Sequence, residues 1–153
     1  MTVSPITVDP DHMLDMKPLD LDRVRVGDCM HHGIIACDPT APLAEVASIM
    51  ATNRVHAVAV HHGVYRPHGI ISDLDVIAAA AAGTAPTAAD IAATEVLSVS
   101  TDCSLREAAR LMAEHGVTHV IAIERSNGHA VGILSTTDIV AAYARAAGVD
   151  VTP

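Results

Sequence analysis

Two short segments hold the side chains best suited to chemistry: Ser72-x-x-Asp75 within GIISDLD and Ser135-x-x-Asp138 within GILSTTD. A hydroxyl followed three residues later by a carboxylate is first of all a capping box. The Ser oxygen accepts from a free backbone amide, and the Asp complements the positive end of the helix dipole. Those same free amides make a helix start a ready anion site. A carboxylate there can accept from two sugar hydroxyls, and a Ser or Thr hydroxyl can donate to a phosphate oxygen. Thr137 adds such a hydroxyl to the second segment; in the first, Leu74 removes it and Asp73 adds an acid. The residue types therefore allow a structural role and a ligand role, the latter better supported at Ser135, Thr137 and Asp138 than at Ser72 and Asp75.

Histidine is the other abundant reactive type, with ten in the chain. His31–His32 and His61–His62 are adjacent pairs, and His68 follows. Adjacent residues on a strand point to opposite faces, and no H-x-x-x-H or CxxC spacing occurs, so no specific metal site is expected. A histidine-based metal sensor remains the weakest of the alternatives. Cys29, Cys37 and Cys103 are odd in number and fit free thiols in a reducing compartment. No nucleophile elbow, P-loop or dinucleotide fingerprint is present, and the expectation is a protein that is not an enzyme.

The elements that must position these residues come as a repeat. A shift of 62 positions lays LREAARLMAEHGVTHV, from Leu105, on LAEVASIMATNRVHAV, from Leu43. A shift of 63 lays GILSTTDIVAA on GIISDLDVIAA, and Asp28 pairs with Asp90 upstream. In each copy apolar residues recur at i, i+3, i+4 and i+7 (Leu43, Val46, Ala47, Met50; Leu105, Ala108, Ala109, Met112), one stripe of an amphipathic helix. Ser104 and Glu107 predict a capping box at the second of these helices; Pro42 suits the first turn of the other. The β-rich runs 55–60 and 117–123 follow, then turns (HHGVYRPH, ERSNGH), the apolar runs 69–71 and 130–134, and helices over 74–82 and 139–147. Strands over 34–36 and 96–99 precede the first helices. The unit is β-α-β-β-α, twice, an α+β fold. GTAPTAAD, residues 83–90, reads as the hinge. Residues 1–22 read as an acidic lead-in with a helical turn near Met13, ahead of repeats at 23–84 and 85–148.

Composition narrows the function classes. Half of the 153 residues are hydrophobic, mostly Ala, Val, Ile, Leu and Met, with two Tyr and no Phe or Trp. Few aromatic faces and a formal charge of −9 argue against nucleic-acid binding, which needs stacking platforms or a positive footprint. No apolar run is long enough to span a bilayer and no signal peptide is visible, so a cytoplasmic protein without membrane contact is expected.

RVGDCM (25–30) is followed by elements that recur in one order: the two LxEhAxxM helices, RVHAVAV (54–60) with GVTHVIAI (116–123), and the paired endings GIISDLD and GILSTTD. This set resembles the cystathionine-β-synthase (CBS) domain family over roughly residues 23–147. The resemblance implies two repeats packed through their sheets about a pseudo-two-fold axis, with two clefts, and further association into a homodimer. It implies a regulatory module whose clefts hold an adenosine-containing ligand (AMP, ADP, ATP or S-adenosylmethionine), with no catalytic cofactor, and whose response is read by a regulated protein partner. An alternative is a ligand-free dimerising scaffold. By the same resemblance the Asp side chains hold ribose, the Ser and Thr lie near phosphate, and His56 and His119, with Arg54 close by, approach phosphates from the opposite repeat. The chain departs from the family at Ala59 and Ile121, where Pro is common. Between Ser and Asp of each ending it carries Asp73–Leu74 and Thr136–Thr137 rather than a cation. The cleft of Ser135, Thr137 and Asp138 is therefore expected to be the tighter one, and to prefer ligands with few phosphates.

Overall fold

Each repeat builds a small sheet covered by helices in the computed structural model, which describes residues 20–61 and 67–148. The helical turn expected near Met13 and the middle of the HHGVYRPH turn lie outside those residues. In chain order the elements are α1 (Val26–Cys29), β1 (His31–His32), β2 (Ala36–Cys37), α2 (Leu43–Asn53), β3 (Ala57–Val60), β4 (Gly69–Ser72) and α3 (Asp73–Ala81). The second half continues with α4 (Ala88–Ile91), β5 (Ser98–Ser100), α5 (Leu105–His115), β6 (His119–Ile123), β7 (Ala130–Ser135) and α6 (Thr136–Ala146). One sheet has the order β2-β3-β4 and the other β1-β7-β6-β5. The architecture is the expected α+β pair of tandem units.

Strand alternation explains how the two sheets are used. Val58 and Val60 of β3 enter the cluster beneath α2 with Val46 and Met50, while Ala57 enters a separate cluster with Ile70 and Ile121. In β6, Val120 and Ala122 face the α5 cluster with Leu105 and Met112, whereas Ile121 and Ile123 face the other sheet. Each strand is thus apolar on both faces, one toward helices and one toward the partner sheet. Small Ala57 opposite large Ile121 lets the sheets approach with no aromatic side chain to fill the space.

Two features depart from the plain repeat. The stretch read as a hinge contains α4, with Thr87 and Asp90 forming a capping box, and the His31–His32 pair forms strand β1. Both belong to an exchange between the units. The β1 strand pairs antiparallel with β7 of the second unit (His31↔Ile133, His32↔Gly132), and Val26 and Met30 join the core of that unit. In return α4 hydrogen-bonds to the first unit (Ala88 N to Ala41 O, 2.8 Å), and Ala93 bridges Ile70. The repeat offsets turn His31↔Ile133 into Ala93↔Ile70, so the exchange obeys the pseudo-two-fold relation. These elements are too short to show a hydrophobic period, which is why spacing did not reveal them.

The predicted cap at Ser104 is half built: its Oγ accepts from the Glu107 amide at 3.2 Å. The Glu107 carboxylate faces the Cys103 thiol instead, and burial, reinforced by that charge, raises the thiol's pKa. Burial likewise raises Cys29 and Cys37. All three cysteines are free.

Candidate functional site

The capping boxes at α3 and α6 form as the spacing requires. Asp138 Oδ2 accepts from the Ser135 amide at 2.8 Å and its hydroxyl at 2.9 Å. Asp75 Oδ2 accepts from the same groups of Ser72 at 2.7 and 2.8 Å. Each carboxylate is thereby fixed at a helix start, with one oxygen committed to the cap.

A cavity of ≈ 250 Å³ opens at the seam between the units. Its walls are His31, His32, Gly33 and Ile35 from the exchanged strand and its continuation, residues 53–57 from the turn between α2 and β3, and His119, Ile133 and Ser135 from the second unit. Ser135, His56 and His119 of the expected ligand residues therefore come together. Asp138 lies behind Ser135, with His31 against it (Nδ1 to Oδ1, 3.2 Å). Thr137 is exposed in the first turn of α6 and is not on the cavity wall. Ser72 and Asp75 sit at the pseudo-symmetric helix start and do not line this cavity either.

The electrostatics are those of a weakly cationic recess. Arg54 is the lining residue with a permanent positive charge. It caps α2 in the left-handed conformation (φ 54°), where α5 has Gly116 (φ 63°). A side chain in that region costs about 1–2 kcal/mol, a cost of the sort that gathers at functional sites. His56 Nδ1 lies 2.9 Å from Asp73 Oδ2, so the acid that Asp73 adds to the first segment is hydrogen-bonded, and it is not on the cavity wall. His119, with Nδ1 2.9 Å from the Thr118 hydroxyl, has its pKa lowered by burial, against the opposing pull of Asp73. The fold therefore favours its neutral ring. Under the repeat offset His56 corresponds to Thr118 and His119 to Ala57, so the two histidines are not counterparts, and each repeat contributes its own.

Sequence reasoning missed His31, which was read only as half of an adjacent pair. The offset that aligns Asp28 with Asp90 also aligns His31 with Ala93, and that one-sided difference was the available signal. Among the described residues no group of three or more His, Cys, Asp or Glu could hold a metal ion, and no helix is long and apolar enough to cross a membrane.

Known proteins share this fold. A family model for the CBS domain matches residues 26–82 and 88–145. The uncharacterized protein MK0525 of Methanopyrus kandleri is 30% identical over 120 residues, covering 76% of this chain and 61% of that protein, so the match spans about three-fifths of the relative's length. The CBS domain pair of protein MJ0100, solved in complex with 5′-methylthioadenosine and S-adenosyl-L-methionine, superposes with a TM-score of 0.73 at 20% identity, covering 80% of this chain and 97% of that one. The CBS domain protein PAE2072 of Pyrobaculum aerophilum, complexed with AMP, gives 0.67 at 26% identity, covering 80% and 99%.

Proposed function

The chain belongs to the CBS-domain family, and from that premise we propose that it is a regulatory module, not a catalyst, that binds an adenosine-type ligand at the Ser135 cleft. The observation that carries this reading is the convergence on one cavity of Ser135, backed by Asp138, with Arg54, His56 and His119. A carboxylate fixed at a helix start suits a ribose diol, and Arg54 suits a single phosphate. The apolar wall of Ile35, Val55 and Ile133 suits a base. Complexes of PAE2072 with AMP and of MJ0100 with S-adenosyl-L-methionine support the ligand class.

Size and charge favour the smaller members of that class. At ≈ 250 Å³ the cavity falls just below the usual range for small-molecule pockets, about 300–1,000 Å³. It suits a base and sugar; a triphosphate would project from it, with Arg54 the one permanent lining cation among the described residues. Adenosine, AMP and S-adenosylmethionine should bind more tightly than ATP. Binding would be transmitted if the ligand favours one arrangement of the two units over another, and the exchanged β1 strand, which joins both units and lines the cavity, is the part best placed to transmit it to a regulated partner.

The module is also proposed to be a homodimer. Leu74 and Ile77 of α3 and Val140 and Tyr143 of α6 are 69%, 62%, 66% and 58% exposed, and Ile77 and Val140 are equivalent under the repeat. Large apolar side chains exposed at matching positions fit a self-complementary interface. The scaffold alternative keeps this dimer and lacks the ligand. Native mass spectrometry of protein purified without an affinity resin addresses both. The expected spectrum is a dimer carrying an adenine compound, or taking up added AMP. A dimer that takes up no adenine compound would support the scaffold, and a monomer would refute the interface.

A further inference from the structure

The contacts proposed for an adenosine ligand give His31 no role, although it touches the Asp138 carboxylate. Its Nδ1 stands 3.2 Å from Asp138 Oδ1 and 3.4 Å from Oδ2, and the residue is part of the cavity wall. Asp138 Oδ2 is already held by the Ser135 amide and hydroxyl. Oδ1 is therefore the oxygen left for a ligand hydroxyl, and the imidazole, whose hydrogen bond is to Oδ2, also stands within 3.2 Å of it. The Asp138 side chain is 10% exposed, while that of His31 is 74% exposed. The acid is covered, and the imidazole against it faces solvent.

We propose that His31 is a latch that competes with a ligand's sugar hydroxyl for the Asp138 carboxylate, setting the affinity of this one cleft. The inference deepens the adenosine reading and rests on it. The latch is one-sided, because the pseudo-symmetric position near Asp75 is Ala93, which has no hydrogen-bonding side chain. It is also gentle. With the histidine largely exposed the pair is weak, so the competition amounts to about fivefold in affinity at most. Because β1 pairs with β7 across the seam, releasing His31 gives the ligand a direct contact with the strand that joins the two units.

Isothermal titration with adenosine tests this on the whole chain, using wild type, His31→Ala, Asp138→Asn and the double variant. His31 is exposed, so its truncation should leave the fold intact, and circular dichroism would verify that. His31→Ala is expected to bind adenosine about two- to fivefold more tightly than wild type. The gain should vanish in the Asp138→Asn background, and with 2′,3′-dideoxyadenosine, which lacks the hydroxyls that compete. A purely structural role for His31 would not distinguish these two nucleosides. Equal or weaker adenosine binding by His31→Ala, or a gain that persists with the dideoxy compound, overturns the latch while leaving the adenosine site standing. Failure of adenosine to bind either wild type or His31→Ala overturns the adenosine reading itself, and the latch with it.

Discussion

Asp138→Ala is expected to remove most of the thermal stabilisation that AMP confers, and Asp75→Ala much less of it. Ligand at about 100 times its dissociation constant stabilises the folded state by roughly 2.7 kcal/mol. For a chain of this size each kcal/mol corresponds to about 2–4 °C, so AMP should raise the wild-type melting point by about 5–11 °C. Asp138 does not itself line the cavity, but its removal takes away the carboxylate that holds Ser135, the residue that shares the cavity wall with Arg54, His56 and His119. Removing Asp75 takes away the equivalent cap at α3, outside that cavity. Both variants lose a capping interaction worth about 1 kcal/mol, so each melting point is compared with that of the same variant without AMP. Equal losses of the AMP shift from the two substitutions would refute the asymmetry between the clefts.

Gly132→Ala is expected to lower the melting point of the ligand-free protein by about 2–12 °C, from an overpacking cost of about 1–3 kcal/mol. A Cβ at Gly132 would lie 2.5 Å from the His31 carbonyl and 2.8 Å from Met30 Sδ. The first of these is backbone and cannot turn aside, so β1 must shift away from β7. Gly69 occupies the related place opposite Ala92 and Ala93, where a Cβ would meet Ala92 Cβ at 2.8 Å and the Ala93 carbonyl at 3.0 Å. Gly69→Ala should therefore cost less. Differential scanning fluorimetry of both variants decides it. A Gly132→Ala protein that melts with wild type would mean the exchanged strand contributes little to holding the units together.

Most of the fold was legible because long amphipathic elements carry a period and the chain states it twice. The stripe of Leu43, Val46, Ala47 and Met50 repeats at Leu105, Ala108, Ala109 and Met112, and both stripes became helices, Leu43–Asn53 and Leu105–His115. The exchange was not legible. A two-residue strand and four-residue helices display no period, and their partners are decided by the packing of Val26 and Met30 rather than by local preference. The site was legible in part. Ser-x-x-Asp spacing identifies helix starts from local chemistry alone, and both boxes formed. Which box faces a cavity depends on the opposite unit, where Arg54 and His31 stand against Gly116 and Ala93, and that is tertiary information. The charge of Asp73 was read in isolation; its partner His56 is distant in sequence and adjacent only after β3 and β4 pair.

An adenosine compound is proposed to bind between the units at Ser135. A titration of ¹⁵N-labelled protein with AMP, followed by amide shifts, tests it most directly because it reports binding and location together. The predicted result is saturable movement concentrated at residues 53–57, at His31 and His119, and at residues 135–138, with smaller changes around Ser72 and Asp75. Spectra that stay unchanged at millimolar AMP, or shifts that saturate around Ser72 and Asp75 while residues 135–138 stay still, would contradict the account.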